Sequence, residues 1–391
     1  MSTFEYIASP SDGELAPLAE IESVAFGSPA AEVAQWFAVA GREHVRAVAL
    51  RGQVVAGLIV IPMGQFFGGR RVAMTGIAGV AVAPEARGQG AALWLMSQVA
   101  RELHTAGVGI STLYPATNTL YRKAGWELAG SHYSIEIDAR SVGVREGGGV
   151  LTTIADADRA AMHALYADVA RTRSGYLDRG PYVWSRVETP RGRIARGTLV
   201  SYDGASEGYL YLLQNPLPGG TYDLAITDLC AKTPRAARRL LSFLADHRSM
   251  AETLRLKGGP IDPLLWHLPE KSAKVRLFEH WMLRLCNVEA ALAQRGYTPG
   301  MSARLELELE DDMLPEQAGR YTLEVTAGRG QVTRGGSGAL RVGARGLAAL
   351  FTGFQSARSL ARAGMLTGDD ASLDLASGVF ASEAPVLPDF F

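Results

Sequence analysis

The segment from Gly79 to Ala100 constrains the fold of this chain most, because it joins a strand, a glycine turn and a helix. A β-rich run over 71–83 ends at Pro84, and apolar residues then recur at helical spacing from 88 to 106. Glycines in the turn let a backbone approach a ligand closely. Since a helix N-terminus offers unpaired N–H groups and a positive dipole end, the junction predicts a pyrophosphate site. A plain strand–turn–helix connection is the alternative interpretation.

Motifs and composition exclude several other classes of protein. The chain has no GxxxxGK[ST] loop, and no GxGxxG with a downstream acid follows its first strand. With 39 basic and 40 acidic residues, the net charge is −1, which disfavours a nucleic-acid binder. No run approaches the roughly 20 apolar residues of a membrane span, and the N-terminus lacks the features of a signal peptide.

The two cysteines carry little functional signal. Cys230 and Cys286 lie far apart and neither has a CxxC partner. We therefore expect no zinc site and no disulfide, but two half-buried thiols in a reducing cytoplasm. A cytoplasmic protein without a metal is the resulting expectation.

The length of 391 residues predicts two or three domains. In the first segment the pattern predicts a hairpin, a long strand, a long helix, a short strand, a short helix and a final strand pair. These elements fall at 43–62, 71–83, 88–106, 108–113, 117–123 and 126–137. A glycine-rich linker follows at 141–150.

The second segment repeats the order of the first, which indicates a diverged copy. Its predicted helices and strands lie at 155–171, 194–202, 207–213, 222–229 and 234–247. The third segment is predicted to contain a helix, two strands, a glycine-rich hairpin and a second helix. These lie at 281–297, 302–312, 321–328, 328–342 and 347–364.

Two motifs resemble a known family. The run V-A-P-x-x-R-G-x-G-x-A at 82–92 resembles the acetyl-CoA signature of the GNAT acetyltransferases, [QR]-x-x-G-x-[GA], with Arg87, Gly90 and Ala92 at its fixed positions. The segment PATNTLYRKAGWELAG at 115–130 resembles the later motif of that family, a short helix carrying a tyrosine before a G-[FW] strand start. The resemblance implies that the chain uses acetyl-CoA.

The whole chain resembles the Eis-like (enhanced intracellular survival) branch of these acetyltransferases. The segments MLRLCNVEAALAQRGY, GRYTLEV and LAALFTGFQSARSLARAG, together with the terminal Phe391, carry this resemblance. It implies an α/β (α+β) fold with a catalytic GNAT domain at 1–140, a degenerate second GNAT-like domain at 141–280 and a sterol-carrier-like domain at 281–391. It also implies a homo-oligomer, a hexamer. Since 232–241 contains no glycine, we expect no acetyl-CoA in the second domain.

The resemblance also assigns roles to residues. Tyr121 would be the general acid, and the main-chain carboxylate of Phe391, inserted into the active site of the first domain, would be the base. The alternative is that this tail only packs on a neighbouring surface. Acetyl-CoA would be held by Val80, Ala81, Val82, Arg87, Gly88, Gln89, Gly90, Ala91 and Asn118.

Further residues have two open interpretations. Trp36 and Phe37 either line the acceptor pocket or belong to ordinary core packing. Asp389 either helps to attract a cation or keeps the tail soluble.

The leading functional hypothesis is an N-acetyltransferase for amines of polyamine substrates, with aminoglycosides as the type acceptor and direct transfer in a ternary complex. The alternatives are acetylation of protein lysines or of another small-molecule amine, and a non-catalytic scaffold that binds acyl-CoA or lipid. The cysteines lie outside both motifs, so an acetyl-cysteine intermediate has no support.

Overall fold

The computed structural model describes residues 4–391, which form two compact units. The first unit contains the described residues up to Gly130, residues Trp281–Glu383 and Phe391. The second unit contains Ser131–His280 and Ala384–Phe390. The chain therefore leaves the first unit after its opening segment and returns to it about 150 residues later.

The helices and strands alternate along the chain as a mixed α/β protein requires, and this confirms the predicted class. Residues 4–138 form β1 (Phe4–Ile7), α1 (Asp12–Phe26), α2 (Ala30–Ala40), β2 (Val45–Leu50), β3 (Gln53–Phe67), β4 (Arg70–Val82), α3 (Ala91–Thr105), β5 (Ile110–Leu113), α4 (Asn118–Lys123) and β6 (Glu127–Asp138). Residues 150–285 form β7 (Val150–Thr153), α5 (Arg159–Ala170), β8 (Leu177–Asp178), α6 (Pro181–Glu188), β9 (Arg196–Tyr202), β10 (Ala205–Pro216), β11 (Tyr222–Ala231), α7 (Pro234–Asp246), β12 (Ala251–Gly258) and β13 (Ala273–Leu285). Residues 288–379 form α8 (Val288–Gln294), β14 (Ala303–Glu310), β15 (Gly319–Thr326), β16 (Arg329–Arg334), β17 (Leu340–Gly343), α9 (Ala344–Phe351), α10 (Ala357–Arg362), β18 (Leu366–Thr367) and α11 (Asp370–Val379).

The first unit contains two sheets. In one, the strand order is β1-β2-β3-β4-β5, and residues 282–285 of β13 pair with β5 in antiparallel register. In the other, the order is β16-β15-β14-β17-β18. The core of the first sheet is closed by α3, whose buried residues Leu95, Met96 and Val99 pack in one cluster with Leu58 and Ile77.

Strand β4 is irregular at the point where it leaves its neighbours. Its register with β3 runs through Ile59↔Ala78 and resumes at Gly57↔Ala81, so one extra residue of β4 is accommodated as a bulge. Gly79 lies in this bulge with φ of +64°, a conformation that favours glycine. The parallel pairing of β4 with β5 ends at Ile77↔Leu113.

The second unit repeats the strand–helix plan. Its strand order is β6-β12-β11-β10-β9-β7, and β11 pairs with β12 in parallel, as β4 does with β5. Helix α7 closes its core with the buried residues Ala236, Leu240, Leu241 and Leu244. No helix within residues 4–391 is both long and apolar enough to cross a membrane.

Four sequence predictions about secondary structure are wrong. Residues 281–285 form the end of a strand, and a helix begins only at Val288, after the Asn287 side chain caps the Ala290 N–H. Because the run from Trp281 to Leu285 is buried throughout, its apolar pattern does not distinguish a helix from a central strand. The predicted strand pair at 126–137 is one strand, β6.

The other two errors concern the third segment. The predicted hairpin at 328–342 is not formed, because β16 pairs with β15 whereas β17 pairs in parallel with β14. The predicted helix at 347–364 is interrupted after Phe351, where Gly353 takes a φ of +75° and α10 begins at Ala357. Pairing with the distant β14 decides the first outcome, and the backbone conformation at Gly353 marks the second.

A buried ion pair of the later segment of the first unit also holds the earlier segment, through a hydrogen bond. The Arg284 guanidinium donates to both Asp311 carboxylate oxygens, at 2.6 and 2.8 Å, and to the Ala124 carbonyl at 3.0 Å. Both side chains are almost completely buried. The Asp311 carboxylate also accepts the Gln317 amide and the Leu314 N–H, so its acceptor sites are well satisfied.

We expect Arg284→Met to destabilise the first unit by roughly 3–5 kcal/mol, because the Asp311 charge would stay buried without its cation. The urea midpoint and the slope of the unfolding transition measure this change. The matched control is Arg304→Met, because Arg304 makes an exposed ion pair with Glu306 and should contribute at most about 1 kcal/mol. Equal losses in both variants would contradict the expectation.

Candidate active site

The free edge of β4 is the centre of the candidate site. Beyond Ile77 the strand has no register partner on its β5 side within the described chain, and the bulge at Gly79 lies in this stretch. Backbone N–H and C=O groups on that side therefore remain for a ligand. Of the predicted donor-binding residues on β4, Val80 and Val82 are half-buried, and Ala81 is buried.

The turn after β4 has the geometry of an anion site. Gly88 and Gly90 have φ of +77° and +90°, and a Cβ at either would meet nothing within 4 Å. The space around them is therefore open, and glycine is required for the backbone conformation. Gly90 is the N-cap of α3 and no side chain caps this helix, so N–H groups of its first turn, from Ala91 onwards, point into the turn.

The other residues predicted to hold acetyl-CoA lie around this turn. Arg87 is exposed, and its Nε donates to the Val82 carbonyl at 3.4 Å. The Gln89 amide donates to the Glu85 carbonyl at 3.1 Å. Asn118 is exposed and is the first residue of α4. The Arg87 guanidinium is thus positioned beside the helix N-terminus, where it would favour a phosphate.

Tyr121 is a buried phenol on α4. It is 5% exposed and packs in the core cluster that includes Ile77 and Leu113, the last pair of the β4–β5 register. Burial raises the pKa of Tyr121 to about 12. The phenol therefore stays protonated near neutral pH and has a proton to donate.

Phe391 lies against β4, three residues before the bulge. A Cβ at Gly76 would stand only 2.5 Å from Cε2 of the Phe391 ring, so glycine provides the space that this ring fills. The Tyr114 ring lies beside it, with centroids 5.9 Å apart. The structure thus brings Phe391 to the strand that carries Val80–Val82. Tyr114 was not singled out, because its strand-like surroundings gave no functional signal.

The rest of the tail is ordered within the second unit. The Val386 N–H donates to the Ser174 carbonyl at 2.9 Å, and the Arg186 guanidinium donates to the Phe390 carbonyl at 3.0 Å. Asp389 is buried and forms an ion pair with Arg179 at 2.8 Å. Asp389 therefore anchors the tail, which neither of the interpretations made from sequence anticipated.

The two aromatic residues predicted to line the acceptor pocket have different surroundings. Phe37 is 2% exposed and belongs to the core, whereas Trp36 is half-buried. The Trp36 ring lies at the bulge, 2.8 Å from the position of a Cβ on Gly79. The Glu22 carboxyl group reaches the same point, at 3.1 Å. Sequence reasoning missed Glu22, although its spacing of four residues from the buried Leu18 places it on the buried side of α1.

The corresponding junction in the second unit offers fewer free N–H groups to a ligand. Pro234 occupies the first turn of α7 and has no N–H, and the Thr233 hydroxyl accepts the Ala236 N–H at 3.2 Å. The nearby cations are already paired, Lys232 with Asp168 and Arg235 with Glu207. That this junction holds no acetyl-CoA stays a prediction.

Comparisons with protein-family models divide the chain into three parts. Residues 7–129 and 175–285 each match an acetyltransferase (GNAT) domain, and residues 288–388 match a sterol carrier protein domain. These matches confirm the predicted fold, two tandem GNAT domains followed by a sterol-carrier-like domain.

Individual proteins are similar over most or all of the chain. A crystal structure of a GCN5-related N-acetyltransferase from Anabaena variabilis is 35% identical, has a TM-score of 0.94 and covers 100% of both chains. An uncharacterized N-acetyltransferase of Streptomyces griseus is 27% identical over 78% of this chain and 80% of its own. The N-acetyltransferase Eis of Mycobacterium tuberculosis is 26% identical over 81% of this chain and 80% of its own.

We expect one molecule of coenzyme A to bind per chain, at the open junction of β4 and α3. Arg87→Ala should weaken this binding about 3- to 10-fold, because an exposed charge-assisted hydrogen bond is lost. Arg235→Ala, the matched change at the corresponding turn of the second unit, should leave the affinity unchanged. Isothermal titration calorimetry gives both the stoichiometry and the affinity. A stoichiometry of two, or an effect confined to Arg235→Ala, would contradict this assignment.

Proposed function

Since the chain belongs to the GCN5-related N-acetyltransferase family and to its Eis-like branch, we propose that it transfers the acetyl group of acetyl-CoA to an amine of a polyamine acceptor. Aminoglycosides are the model acceptors. The observation that carries this proposal is the free, bulged edge of β4, which leads directly into an uncapped helix N-terminus.

Acetyl-CoA would bind along β4 and across the turn. Its pyrophosphate fits the first turn of α3, where Gly88 and Gly90 leave the space open and Arg87 supplies a positive charge. Its pantetheine arm would take the place of the strand that β4 lacks beyond Ile77. A backbone N–H of the stretch from Val80 to Val82 would then face the thioester oxygen and stabilise its developing charge.

The reaction requires that one proton leaves the amine and that another reaches the departing thiolate. An alkylamine is mostly protonated at pH 7, so it must lose a proton before it attacks the thioester. We assign this step to the carboxylate of Phe391, whose ring lies on β4 at Gly76. We assign the proton donor to Tyr121, which burial keeps in its neutral form.

Direct transfer fits the state of the two cysteines. Cys230 and Cys286 are both buried. Burial raises the pKa of Cys286 to about 12 and raises that of Cys230 as well. Because the thiolate is the nucleophilic form, neither side chain is suited to carry an acetyl group, and the amine would attack acetyl-CoA itself. The hexamer implied by the family resemblance stays a prediction.

The proposed activity is tested by a thiol-release assay with acetyl-CoA. The acceptors are an aminoglycoside, spermidine, a lysine peptide and an arylalkylamine. Turnover that is highest with the aminoglycoside and spermidine supports the polyamine class, whereas turnover of the lysine peptide alone would replace it with a protein acceptor. Binding of acetyl-CoA without turnover of any amine would favour a non-catalytic scaffold.

We expect Tyr121→Phe to lower kcat by about 100-fold or more, because the thiolate would leave without its proton donor. Coenzyme A affinity should be unchanged. With a pKa raised to about 12, this phenol should cause no alkaline loss of activity up to about pH 10. Tyr133→Phe, which removes a phenolic hydroxyl from β6, is the control and should retain full activity. Wild-type kcat in Tyr121→Phe would exclude Tyr121 as the acid.

The role of the Phe391 carboxylate is tested by adding one glycine after Phe391. This keeps the ring but moves the carboxylate by about 3.8 Å, so we expect kcat/KM to fall about 100-fold without a change in Tm. Phe391→Leu keeps the carboxylate and loses the ring, and should retain more activity. If the glycine extension is fully active and only Phe391→Leu is impaired, the tail has a packing role alone.

A further inference from the structure

Glu22 is a buried carboxyl group without a structural use. Neither of its oxygens has a hydrogen-bond partner within residues 4–391, and its side chain is 0% exposed. Its neighbour Glu20, on the same helix, is exposed. Because a buried acid without partners destabilises a fold, a well-packed apolar residue would serve α1 better. Groups retained at such a cost are typical of functional sites.

The position of Glu22 places it beside the acceptor side of β4. Gly57, Ile59 and Ile61 alternate along β3 and so share one face, to which their register partners on β4 also belong. Leu18 of α1 lies against Gly57 on this face, and Phe391 lies against Gly76, the partner of Ile61.

Glu22 follows Leu18 by one helical turn, and its carboxyl and the Trp36 ring both lie beside Gly79. The Glu22 Oε2 atom lies 3.1 Å, and the Trp36 Cη2 atom 2.8 Å, from the position that a Cβ of Gly79 would take. A carboxyl group and an indole ring at one point form a site that suits an ammonium group, through charge and through cation–π attraction.

The protonation state of Glu22 follows from its surroundings. Burial alone raises its pKa to about 9, so at neutral pH the group is a carboxylic acid. The charged side chains of its own helix and of the neighbouring α2 and β4 contribute nothing to the shift, and β3 carries none. These side chains are Asp12, Glu14, Glu20, Glu32, Arg70 and Arg71.

We propose that Glu22 and Trp36 form a subsite for a second ammonium group of the acceptor, beside the amine that reacts near Phe391. This subsite rests on the proposed function. It explains the substrate class, because a diamine would fill both the subsite and the position of the reacting amine, whereas a monoamine would fill only one of them. When the ammonium enters, the Glu22 carboxylic acid loses its proton to solvent and forms an ion pair. One proton is therefore released for each acceptor bound, and no other bond changes.

The test uses the protein saturated with coenzyme A and two probes that differ by one ammonium group, 1,4-diaminobutane and n-butylamine. Titration calorimetry at pH 7.5 in buffers of different ionisation enthalpy gives the number of protons released. Wild-type protein should release about one proton with the diamine and none with butylamine. In Glu22→Gln the release should vanish, and the diamine affinity should fall roughly 10- to 100-fold, whereas butylamine binding stays unchanged.

Two further variants separate the subsite from a structural role. Glu22→Leu should raise Tm and still lose the diamine preference, whereas Glu20→Gln, the exposed control on the same helix, should change neither. Proton release that persists in Glu22→Gln, an equal loss for both amines or no binding of the diamine would overturn the proposal. Proton release without acetyl transfer to either amine would reject the proposed enzyme function and leave the cation subsite supported.

Discussion

Strand β4 is hydrogen-bonded to β3 along its length but to β5 only as far as Ile77. A strand inside a sheet normally has a partner on both sides. The backbone N–H and C=O groups of β4 after Ile77 lack one on the β5 side within the described residues, and a bound ligand can supply the missing hydrogen bonds. The bulge at Gly79 changes the local direction of the strand, and the turn that follows ends in an uncapped helix. The site residues on the neighbouring elements, from Glu22 to Phe391, are arranged around this one interruption of the ladder.

The second unit has the same plan with a different turn. Strand β11 also leads into a long helix, but Thr233 and Pro234 replace the glycines and satisfy or remove the N–H groups that would hold a phosphate. Two ion pairs neutralise the nearby cations. The two junctions thus differ in a few residues of the turn, while strand and helix are kept.

Local chemistry explains which features could be predicted from the sequence. The turn at Arg87–Ala92 and the short helix with Tyr121 depend on residues close in sequence, and both were located correctly. The strand 281–285 and the pairing of β17 with β14 depend on distant partners, which periodicity does not contain. Glu22 illustrates a third case, because helical spacing shows that it is buried but not that its carboxyl lacks a partner. The roles of Tyr121 and Phe391 came from family resemblance, and remain predictions.

The division of the first unit along the chain has a consequence for synthesis on the ribosome. Strand β5 pairs on one side with residues 282–285, which follow it after about 170 residues. At roughly 5–20 residues per second, the nascent sheet waits on the order of 10–30 s for this strand. During that interval β5 presents an unpaired edge, the kind of surface at which nascent chains associate. A chaperone bound to that edge would protect it until Leu285 has emerged.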